Sequence, residues 1–102
     1  MNWQFLSNYN IQKLIGERLK QMRLTENASQ SDIAKDAGIS VQTVQNIEYG
    51  KNVSINFLLA YMRRMQIIDR LEMVFPEEPL NPELVYKYEL DKRKRGGYKH
   101  EH

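Results

Sequence analysis

Residues 41–49 read VQTVQNIEY, and this short run holds most of the polar chemistry that could recognise something specific. Val44 and Ile47, three residues apart, define one apolar face of a helix. The opposite face then carries Val41, Gln42, Thr43, Gln45 and Asn46. A carboxamide offers a donor and an acceptor side by side, so Gln42, Gln45 and Asn46 can each bond bidentately to an adenine edge. Val41 has no hydrogen-bonding group, and its fitting partner is a thymine methyl. A face made only to be solvated more often carries Glu and Lys.

Such a face is useful only if something holds it outward. Residues 29–51, SQSDIAKDAGISVQTVQNIEYGK, predict two short helices joined by a tight turn. Ser29 with Asp32 three residues on is a capping-box pattern, and Ile33, Ala34 and Ala37 give the first helix its apolar face. Gly38 stands where a helix ends in a left-handed residue. Ser40 caps the second helix and Gly50 closes it. Two helices this short, with so short a turn, must meet steeply, which is the geometry of a helix-turn-helix.

The stretch resembles the DNA-binding domain of the phage-repressor (Cro/Xre) helix-turn-helix regulators. The resemblance is carried by IGERLKQMR at 15–23, SQSDIAKDAGIS at 29–40 and TVQNIEYGK at 43–51, and extends over roughly 11–75. It implies an all-α, five-helix lambda-repressor-like domain, with a short extra C-terminal helical segment. It implies base reading by Val41, Gln42, Gln45 and Asn46 and DNA-backbone contacts from Gln30, Ser40, Thr43, Lys51 and Asn52. Gln30 falls on a family position that touches the backbone or supports the recognition helix. Glu48 falls on a structural position, to be paired with a first-helix base such as Arg18 or Arg23. Many relatives place a basic residue among the reading positions. This chain has none, so A·T-containing half-sites are expected.

The rest of the chain divides into an N-terminal arm (1–10), the helix-turn-helix domain (11–75) and an extension with a basic tail (76–102). The arm holds Trp3, Phe5 and Tyr9 but no Lys or Arg, and of two readings, a cover for the edge of the core or a DNA-contacting arm, the first is favoured. A first helix from Ile11 to about Leu24 follows from Ile11, Leu14, Ile15, Leu19 and Met22. Lys13 and Glu17 are spaced as an i,i+4 pair, and Gly16 inside this helix suggests a close helix crossing. Ser54 caps a fourth helix to about Gln66, with Ile55, Leu58, Leu59, Met62 and Met65 inward and Arg63 and Arg64 outward. A fifth short helix is expected from near Asp69, ended by Pro76 and Pro79. By the family's habit Ile68, Leu71, Glu72 and Phe75 are the dimer-interface candidates. Asn81 and Pro82 open a last helical segment. In the tail, Lys92, Arg93, Lys94 and Arg95 form a basic block with two readings, a solvated tail or nonspecific contacts to phosphate, and Gly96 and Gly97 argue against helix beyond it.

Composition narrows the classes. With 102 residues, one domain plus extensions is expected, and a core this small makes dimerisation a natural way to bury more surface. Absence of Cys removes disulfides and thiolate metal sites and fits a reducing cytoplasm. No apolar run approaches the roughly 20 residues of a membrane span. The first ten residues lack the pattern of a signal peptide. The net charge of +2 is small, so charge placement matters more than its sum; Arg18, Lys20 and Arg23 form one basic group. There is no phosphate-cradling Gly-rich loop, nucleophile elbow or HExxH, and His100 and His102 stand alone in the tail, so no enzyme, cofactor, metal or small-molecule ligand is expected. The expected partners are double-stranded DNA and a second copy of the chain, in a repressor on a palindromic operator. The alternative is an antitoxin that also binds a toxin protein, because 76–95 is similar to the tail of some HipB-like regulators.

Overall fold

A computed structural model describes residues 2–78 and 82–94. All regular structure among them is helical, as expected: a 3-10 turn at Trp3–Phe5, then α1 (Asn8–Thr25), α2 (Gln30–Ala37), α3 (Val41–Glu48), α4 (Ile55–Arg64), a 3-10 turn at Ile68–Arg70 running into α5 (Leu71–Val74), and α6 (Pro82–Lys94). The chain forms two units, Met1–Leu71 and Glu72–His102. The fold is the expected lambda-repressor-like one, with α6 as the extra segment.

Local chemistry sets the helix starts. Ser7, Ser29, Ser40 and Ser54 each accept the amide N–H three residues on. At α2 the box is complete, since the Asp32 carboxylate accepts from the Ser29 amide at 2.9 Å. Gly38 ends α2 at φ 70°, in the left-handed region. Asn27 and Gln66 take the same conformation after α1 and α4, both at φ 62°.

In the first unit α2 packs on α3 and α4, and α1 packs on α3. The core is Leu19, Ile33, Ala34, Val44, Ile47, Tyr61 and Met65. Ile33 and Val44 are fully buried, each contributing about 1.5–3 kcal/mol by leaving water. Gly16 is buried where α1 crosses α3. A Cβ there would lie 2.7 Å from the Glu48 carbonyl oxygen, so the close crossing expected from sequence is present.

Several expectations are corrected. α1 begins at Asn8 behind a Ser7 cap, three residues before Ile11, so the end of the expected arm is helix. Of the arm's aromatics, Trp3 lines a surface cleft together with Ile15, Met22, Met62 and Ile67, whereas Phe5 is 86% exposed and Tyr9 faces Lys13. Lys13 thus lies over the Tyr9 ring rather than pairing with Glu17. Ile55 is exposed, because first-turn side chains lean toward the helix N-terminus and so point past the packed region. Arg64 does not face outward. It donates to Asp36 at 2.7 Å and to Glu26 at 3.0 Å, tying the end of α4 to the end of α2 and the α1–α2 loop.

In the second unit α6 runs through Lys94, so Lys92, Arg93 and Lys94 stand on a helix and not in a tail. Lys and Arg are good helix formers, and nothing in the charge run stops the helix. The expected Asn81 cap, the stop at Pro79, Arg95, the break at Gly96 and Gly97, and His100 and His102 lie outside the described residues. No described helix is long and apolar enough to cross a membrane.

Candidate nucleic-acid interface

The outward face of α3 is displayed as the residue spacing requires. Val44 and Ile47 are buried, Val41 is 38% exposed, and Gln42 is exposed. Gln45 and Asn46 are half-buried. The Gln42 carboxamide donates to Asn46 Oδ1 at 3.0 Å, one turn on. Thr43 is tied to the cap at the surface: its amide donates to Ser40 Oγ at 3.0 Å, and the two hydroxyls share a hydrogen bond at 2.8 Å.

Beneath that face lies an ordered polar chain rooted in the core. Glu48 and Arg23 are each 7% exposed. Arg23 donates from Nε to Glu48 Oε2 at 2.7 Å and from Nη2 to Oε1 at 2.9 Å, a bidentate pair. The partner of Glu48 is therefore Arg23 and not Arg18. Arg23 is also removed from the basic surface group it forms in sequence with Arg18 and Lys20. Arg23 Nη1 further donates to the Ala28 carbonyl at 3.0 Å. Tyr61, fully buried on α4, donates its hydroxyl to Glu48 Oε2 at 2.7 Å. Gln30 Nε2 donates to Glu48 Oε1 at 3.1 Å. Each carboxylate oxygen thus accepts twice.

This coordination decides the charges. Burial pushes the Glu48 carboxyl up, but hydrogen bonds from Arg23, Tyr61 and Gln30 outweigh it and hold the group below its ordinary value. The Glu48 hydrogen bond raises Arg23 against its own desolvation. Burial, then the bond to Glu48, pushes the Tyr61 phenol up, so it stays a donor. No buried side-chain N or O among the described residues is left without a partner.

The chain continues outward with a fixed polarity. Because Gln30 spends a donor on Glu48, its Oε1 is left to accept, and Gln45 Nε2 donates to it at 3.3 Å. Gln45 then keeps its Oε1 and its second N–H for other partners. Asn52 in the loop after α3 accepts at Oδ1 from Gln12 of α1 at 2.7 Å, which leaves its N–H donors free. Lys51 beside it is exposed.

The structure thus brings Gln30, Gln45 and Glu48 into one network and puts Ser40 and Thr43 together at the cap of α3. Lys92, Arg93 and Lys94 belong to the second unit. Tyr61, which holds Glu48 from α4, was not legible as part of this network, since a Tyr within an apolar run reads as bulk. Among the described residues no group of His, Cys, Asp or Glu could hold a metal ion.

Comparison with curated proteins finds no match. A family model described as helix-turn-helix (HTH_3) matches residues 19–69, half of the chain. That span takes in Leu19, Arg23 and all of α2, α3 and α4, which are the elements that hold and display the polar face. The chain belongs to the HTH_3 helix-turn-helix family of DNA-binding transcription regulators, a family that is in general not enzymatic.

Proposed function

We propose that the protein is a sequence-specific repressor that acts as a homodimer on a palindromic operator, with α3 in the major groove. The observation that carries this reading is the hydrogen-bonded chain Arg23–Glu48–Gln30–Gln45. It fixes one end of the half-buried Gln45 carboxamide and keeps one acceptor and one donor of it for DNA, the pair that matches N6 and N7 of adenine. Gln42 and Asn46 lie one turn apart beside it, and Val41 adds an apolar contact suited to a thymine methyl. Ser40, Thr43, Lys51 and Asn52 flank this face and serve the phosphates. Lys92, Arg93 and Lys94 add nonspecific attraction.

Pairing of two copies is supported by the last residues of the first unit and the first residues of the second. Ile68 and Leu71 are half-buried and Glu72 exposed, and Met73, Val74 and Phe75 follow as consecutive apolar residues at 85%, 66% and 73% exposure. A contiguous exposed apolar run of this kind marks an association surface.

The test is replacement of Gln42 and Asn46 together by Ala, with binding measured on duplexes selected from a random pool. Each good bidentate pair is worth about 1–3 kcal/mol of discrimination, so the ratio of operator to random binding should fall about 5- to 150-fold for each position. The selected wild-type sites should be palindromic and rich in A·T at the read positions. An unchanged ratio in a folded variant removes α3 as the reading element.

A further inference from the structure

We infer that the first turns of α1 form a second DNA-contacting element, a cradle for a backbone phosphodiester beside the recognition helix. The inference rests on the DNA-binding reading above and adds to it residues that lie before the family match, which begins at residue 19.

Three observations converge. First, Tyr9, Gln12 and Lys13 of α1 line a shallow cradle of about 500 Å³ with Tyr49, Lys51 and Asn52 from the end of α3 and the loop after it. It carries two ammonium groups, two phenols and two carboxamides, and no carboxylate lines it. For a chain of net charge only +2, that is a local concentration of positive charge. Second, the cradle is built rather than incidental. Gly50, at φ 75°, lets the chain pass so close to α1 that a Cβ there would stand 2.6 Å from Lys13 Cα. Gln12 donates to Asn52 at 2.7 Å, and the Lys13 ammonium sits 4.7 Å from the centre of the Tyr9 ring, which holds the cation without neutralising it. Third, the cradle continues the reading face. Gln42, Asn46 and Tyr49 are spaced four and three residues apart on one side of α3, so DNA lying along Gln42 and Asn46 is carried onto Tyr49 and the cradle. Tyr9 and Tyr49 are 61% and 66% exposed, leaving both hydroxyls available to phosphate oxygens.

The test measures duplex affinity against salt for the full chain and for Lys13→Gln, Lys13→Arg and Arg63→Gln. Arg63 is an exposed cation on α4 that takes no part in the cradle. One phosphate contact contributes about 0.9 to the slope of log affinity against log salt, and about fivefold in affinity at 0.15 M. Lys13→Gln should lose that amount on operator and random duplexes alike, Lys13→Arg should retain it, and Arg63→Gln should lose much less. If Lys13→Gln melts early, Lys13→Met keeps the stem on Tyr9 and gives the same reading. A Lys13→Gln slope equal to wild type overturns the cradle and leaves the recognition helix standing, as does an equal loss in Arg63→Gln. A wild-type chain that binds no duplex at low salt overturns the cradle and the DNA-binding reading together.

Discussion

Glu48 is the residue whose loss should be felt most widely. It is 7% exposed and accepts four hydrogen bonds, two from Arg23 and one each from Tyr61 and Gln30. In Glu48→Gln one oxygen becomes an NH₂ that faces donors already in place. The carboxylate charge that balances buried Arg23 is removed as well. Breaking a buried ion pair from one side costs about 3–5 kcal/mol, because the remaining charge stays buried and uncompensated. For a domain of 60–100 residues, each kcal/mol moves the melting temperature by about 4–8 °C, so a fall of at least about 12 °C is expected. The assay is thermal and urea unfolding followed by circular dichroism. The double variant Arg23→Met with Glu48→Leu removes both charges and leaves Tyr61 the Leu19 carbonyl, 3.4 Å away, as acceptor. It should lose less than the sum of its two single changes, by about 0.5–3 kcal/mol, the usual coupling between residues in contact. A Glu48→Gln protein that melts within about 4 °C of wild type would refute the reasoning, since that is the cost of a solvated pair. Strict additivity in the double variant would refute it equally.

Two further outcomes follow from the same packing. Gly16→Ala places a Cβ against backbone oxygens of α3 that cannot rotate away, so an overpacking cost of about 1–3 kcal/mol should exceed the gain of about 1 kcal/mol in helix propensity; a variant as stable as wild type in urea would mean the crossing is looser than described. Stability should be flat near neutral pH and fall in acid, because Glu48 and Asp32 are both held below their ordinary values: what they contribute is complete above about pH 4.3 and is lost as pH drops through their folded-state values, whereas the contribution of Tyr61, pushed upward, is complete below about pH 10 and is lost above it. A melting temperature unchanged between pH 6 and pH 3 would contradict this assignment.

What could be read from sequence was what is decided locally. The box at Ser29 and Asp32, the caps at Ser40 and Ser54 and the left-handed Gly38 depend on neighbours within four residues, and each is present. Gly16 is legible because a glycine inside a helix needs a packing or functional reason, and close backbone approach is one. The start of α1 is not legible, because its cap, Ser7, precedes the first periodic apolar residue by four positions and lacks an acidic partner three residues on. In sequence Arg64 looks solvated, because its two partners, Glu26 and Asp36, lie 38 and 28 residues away. Nothing in its own neighbourhood separates it from Arg63. The same limit applies to Tyr61, whose hydroxyl finds Glu48 only after α4 has docked.

Under the proposed reading, the polar network accounts for how so weakly charged a face could recognise DNA. A face rich in Arg attracts DNA strongly but also attracts every sequence, because phosphate contacts carry no base information. Amides avoid that, yet free amides rotate, and an amide that can present either end to a base discriminates poorly. Here the end is chosen from within: Arg23 fixes Glu48, Glu48 uses the donor of Gln30, and Gln30 leaves Gln45 one way to bond. The same construction sets a limit. Specific sites are typically about 4–10 kcal/mol tighter than random DNA, and a few readers at about 1–3 kcal/mol each reach only the lower part of that range. Under the proposed reading a second copy supplies the remaining discrimination. The general attraction missing from α3 is then left to the positive groups beside it, Lys13 and Lys51 first among them.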